Sequence, residues 1–280
     1  MRSISPPLGI EAWRRGAGVL ASAGQALRLG ALSALAGWPV LIGRAIFYLV
    51  ALAVLSALWS KVAGERLPGT LARALPAGGL ALYVGASEWI MLSIPSIHLR
   101  LEDDIRSGAL ETHLLRPKLY LLLRIAEAVG DMLVRMGTLA LAALALLLLS
   151  GRGAPAAGLA FLALSGVLGG AVGVLLYAIV GLAGFWIRRT LPAFLLLQKL
   201  MFLLGGLFAP VSLYPSAFRR IAEASPFAAQ LYWPSDQLIA PSAAMLAQTL
   251  ALQAGWIAVL ALIVAAIWRA GVARLLKQGI

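Results

Sequence analysis

Apolar residues in this chain come in long runs, separated by short clusters of Arg, Lys, Asp and Glu. A helix needs about 20 mostly apolar residues to cross a bilayer. Six stretches reach that length: 38–60, 71–97, 122–150, 156–187, 191–209 and 245–268. The fourth is too long for a minimal span and too short for two spans with a turn. Its Gly169-Gly170 pair is therefore read as lying inside one long, tilted helix. Ahead of the first run, Glu11, Arg15, Gly18, Ser22 and Gln25 recur at helical spacing, opposite Trp13, Leu20 and Leu27. That pattern predicts an amphipathic helix lying in the membrane interface. Between the fifth and sixth runs, Pro210, Pro215, Pro226, Pro234 and Pro241 divide apolar stretches too short to span. Ser225-Pro226 reads as an N-cap followed by an N1 proline, and Ser216 as the cap of a helix through Ala224. Tyr214, Phe218, Phe227, Tyr232 and Trp233 add an interfacial character, which predicts short re-entrant helices roofing a cavity.

The expected fold class is thus an all-α membrane protein forming a single domain over 1–280. It has six transmembrane helices, an N-terminal interfacial helix in a 1–37 tail, a polar loop at 98–118 and re-entrant helices at 210–242. Composition agrees: 61% of residues are hydrophobic and 12% charged, against about a quarter charged in soluble domains. Lipid is the medium for most of the chain. The net charge of +12 does not mark a nucleic-acid binder, because the basic residues cluster between apolar runs and form no stripe interleaved with aromatics. Cysteine is absent, so thiolate metal sites and disulfides are excluded. Met1–Pro7 has no apolar core, and the first span is expected to serve as the insertion signal.

Six spans place both termini on one side. Arg2, Arg14, Arg15, Arg28, Arg100, Arg106, Arg116, Lys118, Arg188, Arg189, Arg269, Arg274 and Lys277 gather there, outnumbering Lys61, Arg66, Arg73, Arg152, Arg219 and Arg220 opposite. The positive-inside rule makes that side cytoplasmic, in a multi-pass protein of the cell membrane.

Three features hold candidate chemistry. Within 98–118, Leu101 and Ile105 share a helix face among Glu102, Asp103, Asp104 and Arg106, and Gly108 can end the helix. A short charged helix with an apolar ridge suits docking into a groove on a soluble partner; an ordinary solvated loop is the competing reading. Charges at membrane depth come next, since each is costly in hydrocarbon. Glu88 lies ten residues before His98 and Lys199 ten after Arg189, so both sit ~15 Å from the cytoplasmic edge. They are expected to pair or to line a common polar cavity. Asp131 and Arg135 are spaced to pair along their own helix, and Arg44 to snorkel. Finally, Gly166, Gly169, Gly170 and Gly173 form a small-residue ladder suited to close helix packing within the chain.

The run Asp104-Ile-Arg-Ser-Gly-Ala-Leu-Glu-Thr-His-Leu-Leu-Arg-Pro117 resembles the I-x-x-G-x-L…LL-R-P signature of ABC-2 type permeases. Gly205-Gly-Leu-Phe-Ala-Pro210, Tyr214-Pro215, Ser225-Pro-Phe227 and Tyr232-Trp-Pro234 resemble the same family's fifth-span exit and outer loop. Together with the span order, the resemblance runs along essentially the whole chain. It implies the membrane subunit of an exporter for a hydrophobic or amphipathic substrate, driven by a separate cytoplasmic ATP-binding cassette subunit. A second permease, identical or not, completes the complex within the membrane lipids. Leu101, Glu102, Asp103, Asp104, Ile105, Arg106 and Gly108 would then form the coupling helix, and about 211–240 the outer re-entrant helices. The sequence holds no G-x-x-x-x-G-K-[ST] phosphate loop, so no cofactor is expected on this chain and ATP acts through the partner.

Two other readings compete. A secondary transporter would couple ions through Glu88, Asp131 and Lys199, and would show matched broken helices in both halves; only the second half has them. A membrane-embedded enzyme needs a polar constellation of recognisable spacing. His98 and His113 form no H-E-x-x-H pair and no G-x-S-x-G elbow occurs, so both histidines are expected to be solvated and no catalytic residue is assigned.

Overall fold

The computed structural model describes residues 8–64, 79–110, 117–149, 153–207 and 209–277, most of them helical and with no strand among them. The first three helices are α1 (Leu8–Ala36), α2 (Trp38–Gly64) and α3 (Gly79–Ser93). A bend at Ile94 to Ser96 leads to the short α4 (Ile97–Arg106). Next come α5 (Pro117–Leu149) and α6 (Ala156–Leu182), the latter extended by a 3-10 turn at Ala183–Phe185. Then follow α7 (Leu191–Leu204), α8 (Ser216–Ala224), a π-helical stretch at Ala228–Tyr232, α9 (Trp233–Ile239) and α10 (Ala243–Lys277).

Among the described residues, six helical stretches are long and apolar enough to cross a membrane: Gly18–Ala36, Trp38–Leu58, Gly79–Arg106, Leu119–Leu149, Ala156–Phe185 and Ala243–Lys277. The set differs from the sequence expectation at two places. The expected span at 191–209 yields a helix of 14 residues, about 21 Å long against a hydrocarbon core of about 30 Å. It stops because Gly205-Gly206 follow, and Gly206 takes φ 68°, a left-handed conformation that costs other residues more. The segment read as an interfacial helix over 11–25 belongs to the 29-residue α1. Residues 71–78 of the second expected span lie outside the described residues, as do Glu111 to Arg116 of the signature run, with His113 among them, and Phe208.

α1 is held by backbone proximity. Ala26, Gly30 and Ala34 are its buried face, one turn apart. A Cβ on Gly30 would stand 1.9 Å from the carbonyl oxygen of Glu127, and one on Gly130 would stand 1.9 Å from that of Leu27. The pairing of 30 with 127 and 27 with 130 makes α1 and α5 antiparallel. Apolar burial drives little association in lipid, so such small-residue seams let dispersion and Cα–H···O contacts do it. α1 passes into α2 through Gly37 alone, whose N–H donates to Ser33 O at 3.1 Å and whose carbonyl accepts from Val40 N at 2.9 Å.

Helix directions follow from cross-contacts. Tyr48 Oη donates to Gly85 O (2.9 Å) and Arg44 Nη1 to Leu92 O (2.7 Å), so α2 and α3 are antiparallel. Arg44 is satisfied by a carbonyl near the end of α3. The α6 ladder works within the chain: Gly166 faces Trp89, Gly173 faces Ile94 and Gly181 faces His98, so α3 with α4 runs parallel to α6. The helix stays unbroken through Gly169-Gly170. Gln253 on α10 reaches Ser165 O, and Gly271 meets Phe185, placing α10 parallel to α6 as well.

Candidate functional site

α4 is where charged and aromatic side chains converge. It begins after Ser96 and ends at Arg106; Ser107 is its C-cap and Gly108, at φ 73°, is the left-handed residue beyond it. Its faces are assigned differently from the sequence reading. Leu101 is fully buried, with Ile105 partly buried, so the apolar ridge turns inward onto Gly181 and Gly184 of α6 and its 3-10 extension instead of outward toward a partner. Leu99, Arg100, Asp103 and Arg106 are the exposed positions.

Inward-facing polar atoms clasp neighbouring helices. Glu102, buried to 6% exposure, accepts from the Thr190 amide at 3.1 Å and from the Thr190 hydroxyl. Thr190 is the residue before α7, so this carboxylate occupies the positive end of that helix. Arg106 Nη1 lies 3.5 Å from the other Glu102 oxygen. His98 is buried at 4% exposure, contrary to the solvated position expected for it. Its ring stacks on Phe194 of α7 at 4.0 Å and meets Tyr177 of α6 edge-on at 5.2 Å. The tuck is possible because Gly181 has no Cβ, which would lie 2.8 Å from His98 Cα.

A second set of bonds joins α4 to the foot of α5. Arg124 Nη2 is 2.9 Å from Asp104 Oδ2 and its Nη1 3.1 Å from Glu127 Oε2, while Arg100 Nη1 is 2.8 Å from Glu127 Oε1. The Tyr120 hydroxyl donates to Asp104, and its ring stacks on Trp268 of α10 at 5.5 Å. Sequence reasoning passed over Arg124, Glu127, Tyr120 and Thr190. Tyr120, Arg124 and Glu127 at i, i+4 and i+7 on one helix face was the available signal; Thr190 gave none.

Charges at membrane depth separate into two cases. Arg135 Nε lies 2.5 Å from Asp131 Oδ1, one turn away on α5. Glu88 and Lys199 are not joined by an ion pair: Glu88 is partly buried on α3, and Lys199 is exposed on α7, its ammonium 5.8 Å from the Phe202 ring centroid.

At the end of the bundle away from α4, α8, the π stretch and α9 form a re-entrant hairpin. Ser225 caps the segment opened by Pro226, accepting from Ala228 N at 3.2 Å. Ser216 falls inside α8, after Pro215, instead of capping it. Leu238 lies against Gly158 and Gln230 against Gly169, so the hairpin reaches ~16 Å along α6. A π turn loosens the regular ladder, and Gln253 answers it: its Nε2 donates to Ala229 O at 2.9 Å and to Ser165 O at 2.8 Å. Replacing Gln253 by Leu removes both of these bonds from an apolar interior. The expected loss is ~1–3 kcal/mol, from about 0.6 to 1.7 per membrane hydrogen bond. A lowered thermal-aggregation midpoint in detergent checks this; an unchanged midpoint would show the amide to be dispensable.

No group of three or more His, Asp or Glu suited to holding a metal occurs among the described residues. Residues 80–279 match a family model described as ABC-2 family transporter protein. No curated protein and no solved structure matches the chain.

Proposed function

The chain belongs to the ABC-2 family of transporters, and from that premise we propose that it is the permease half of an exporter worked by a separate cytoplasmic ATPase. The observation that carries this reading is the two-faced character of α4. One face presents exposed Leu99, Asp103 and Arg106 to a partner. The other grips α7 through Glu102–Thr190 and His98–Phe194, and α5 through Asp104–Arg124. A push on such a helix is passed to the feet of three others without an intervening flexible loop. In this reading α4 lies on the cytoplasmic side with the C-terminal end of α10, whereas α1, antiparallel to α5, begins at the opposite end instead of sharing that side as the sequence suggested. The re-entrant hairpin faces the exterior, closing a path for a hydrophobic or amphipathic substrate. The complex contains two permeases, alike or different, and ATP binds only to the partner.

Within the chain α7 packs sparsely. Leu195, Leu196 and Lys199 are exposed along it, and only Leu197 and Met201 are buried. A helix with few buried contacts is the one that moves at least cost. Its foot is tied to α4 and its top ends at Gly205-Gly206 beside the hairpin, so it connects the ATPase side to the exit.

The test uses the permease purified with its ATPase and reconstituted in liposomes. Thr190→Val removes a hydrogen bond to a buried carboxylate, worth ~1.5–3 kcal/mol. ATP-driven transport is expected to fall at least several-fold while ATP hydrolysis and the amount of assembled complex stay near normal. A Thr190→Ser variant, which keeps the hydroxyl, should retain transport. If the purified chain moved substrate without any nucleotide-hydrolysing partner, the proposal would be wrong.

A further inference from the structure

Between α2, α3, α5 and α6, in the half of the bundle away from α4, lies a groove of about 640 Å³ that opens sideways. Its walls run over 48–56 on α2, 81–89 on α3, 140–147 on α5 and 159–163 on α6. Eight residues of helix make ~12 Å, close to the ~15 Å of hydrocarbon in one leaflet. Ala81, Ala140 and Ala143 leave room along its walls.

The polar atoms at its floor are already used. Tyr48 Oη is donated to Gly85 O and Trp89 Nε1 to Met136 O, each at 2.9 Å. Water needs two to four polar partners to stay in such a place, and these walls are mostly carbon, with Ser56 the one further hydroxyl-bearing residue among them. Leu144, Leu146 and Leu159, which line the groove, are each more than a third exposed, continuous with the outward apolar faces of the bundle.

The geometry points to a binding site for the acyl tails of a membrane phospholipid, taken from the leaflet away from α4 and recognised by shape. The site requires only that the chain spans a membrane, so it stands or falls separately from the ATPase reading. The tails hold apart four helices that would otherwise have to collapse or leave a void.

The experiment places the full-length protein in vesicles of phosphatidylcholine containing a minor fraction of the same lipid with a diazirine in mid-tail. After irradiation, adducts are mapped by mass spectrometry. Adducts are expected to be enriched several-fold on groove residues such as Leu82, Ala143 and Leu162 over equally apolar but openly exposed residues such as Leu141 and Leu262. Filling the groove with Ala143→Trp, or independently with Ala163→Trp, should remove that enrichment while leaving labelling at Leu262 unchanged. Labelling that simply tracks exposure over all lipid-facing helices in the native protein overturns the site, whatever the variants do. Undiminished groove labelling in a well-assembled filled variant does the same, as does enrichment by a diazirine amphiphile of unrelated shape equal to that of the phospholipid.

Discussion

Gly130→Val should loosen the N-terminal helix from the bundle, at a cost of ~3 kcal/mol or more, the upper end of what overpacking inflicts. The reason is what the new side chain meets. A Cβ there would lie 1.9 Å from the Leu27 carbonyl oxygen and 3.1 Å from the Ala31 amide nitrogen, both backbone atoms. No rotamer change relieves contact with backbone, so α1 and α5 must separate. Gly30 makes the reciprocal approach to Glu127, so the displacement is felt along the seam. Gly137, also on α5, has nothing within 4 Å of an added Cβ, and Gly137→Val is the matched control. Thermal unfolding of the two variants in detergent should differ by many degrees. Equal midpoints would mean that α1 is not packed on α5 as described.

Gly169→Val should have the largest effect on transport. Its Cβ would stand 2.4 Å from the backbone oxygen of Gln230, so the π stretch has to withdraw from α6. The hairpin then loses its seat, although the spans and their insertion are unaffected. The native chain has no cysteine, which makes accessibility an easy readout. Leu231, at 0% exposure, replaced by Cys should resist a water-soluble maleimide in the native background and react once Gly169→Val is added. ATP-driven transport should fall to background in the same variant. A still-protected Cys with full transport would mean that the hairpin tolerates the branch and that its seating on α6 does not govern the path.

These two glycines mark where sequence reading succeeds and where it stops. The ladder on α6 could be recognised as a close-packing surface because glycines four apart have few other uses in a spanning helix. The matching face of α1 could not. Ala26, Gly30 and Ala34 are ordinary in composition, and Arg15 and Gln25 on the same helix made it look interfacial. What defines that face is the surface of α5, more than ninety residues on. Local chemistry was legible: Gly108 stands in the left-handed position beyond α4, and Ser225-Pro226 opens a helical segment.

Charges divide along the same line. Asp131 and Arg135 sit one turn apart, so spacing fixes both their depth and their direction around the helix. For Glu88 and Lys199 the sequence supplies depth alone; their bearings depend on how α3 and α7 are rotated, and no ion pair joins them within the chain. The partners of α4 were hidden for the same reason. Glu102 meets Thr190 and His98 meets Phe194 across about a third of the sequence, and nothing local announces either meeting.

The single-residue joint at Gly37 has a mechanical corollary. Its amide and carbonyl are both engaged in helical bonding, which leaves no slack between the helices it joins. α1 and α2 therefore behave as two arms of a bell crank: a tilt imposed on one arm turns the other. With the first arm clamped along α5 by the reciprocal glycines, the pivot is fixed, and α2 can swing only by an amount that clamp will tolerate.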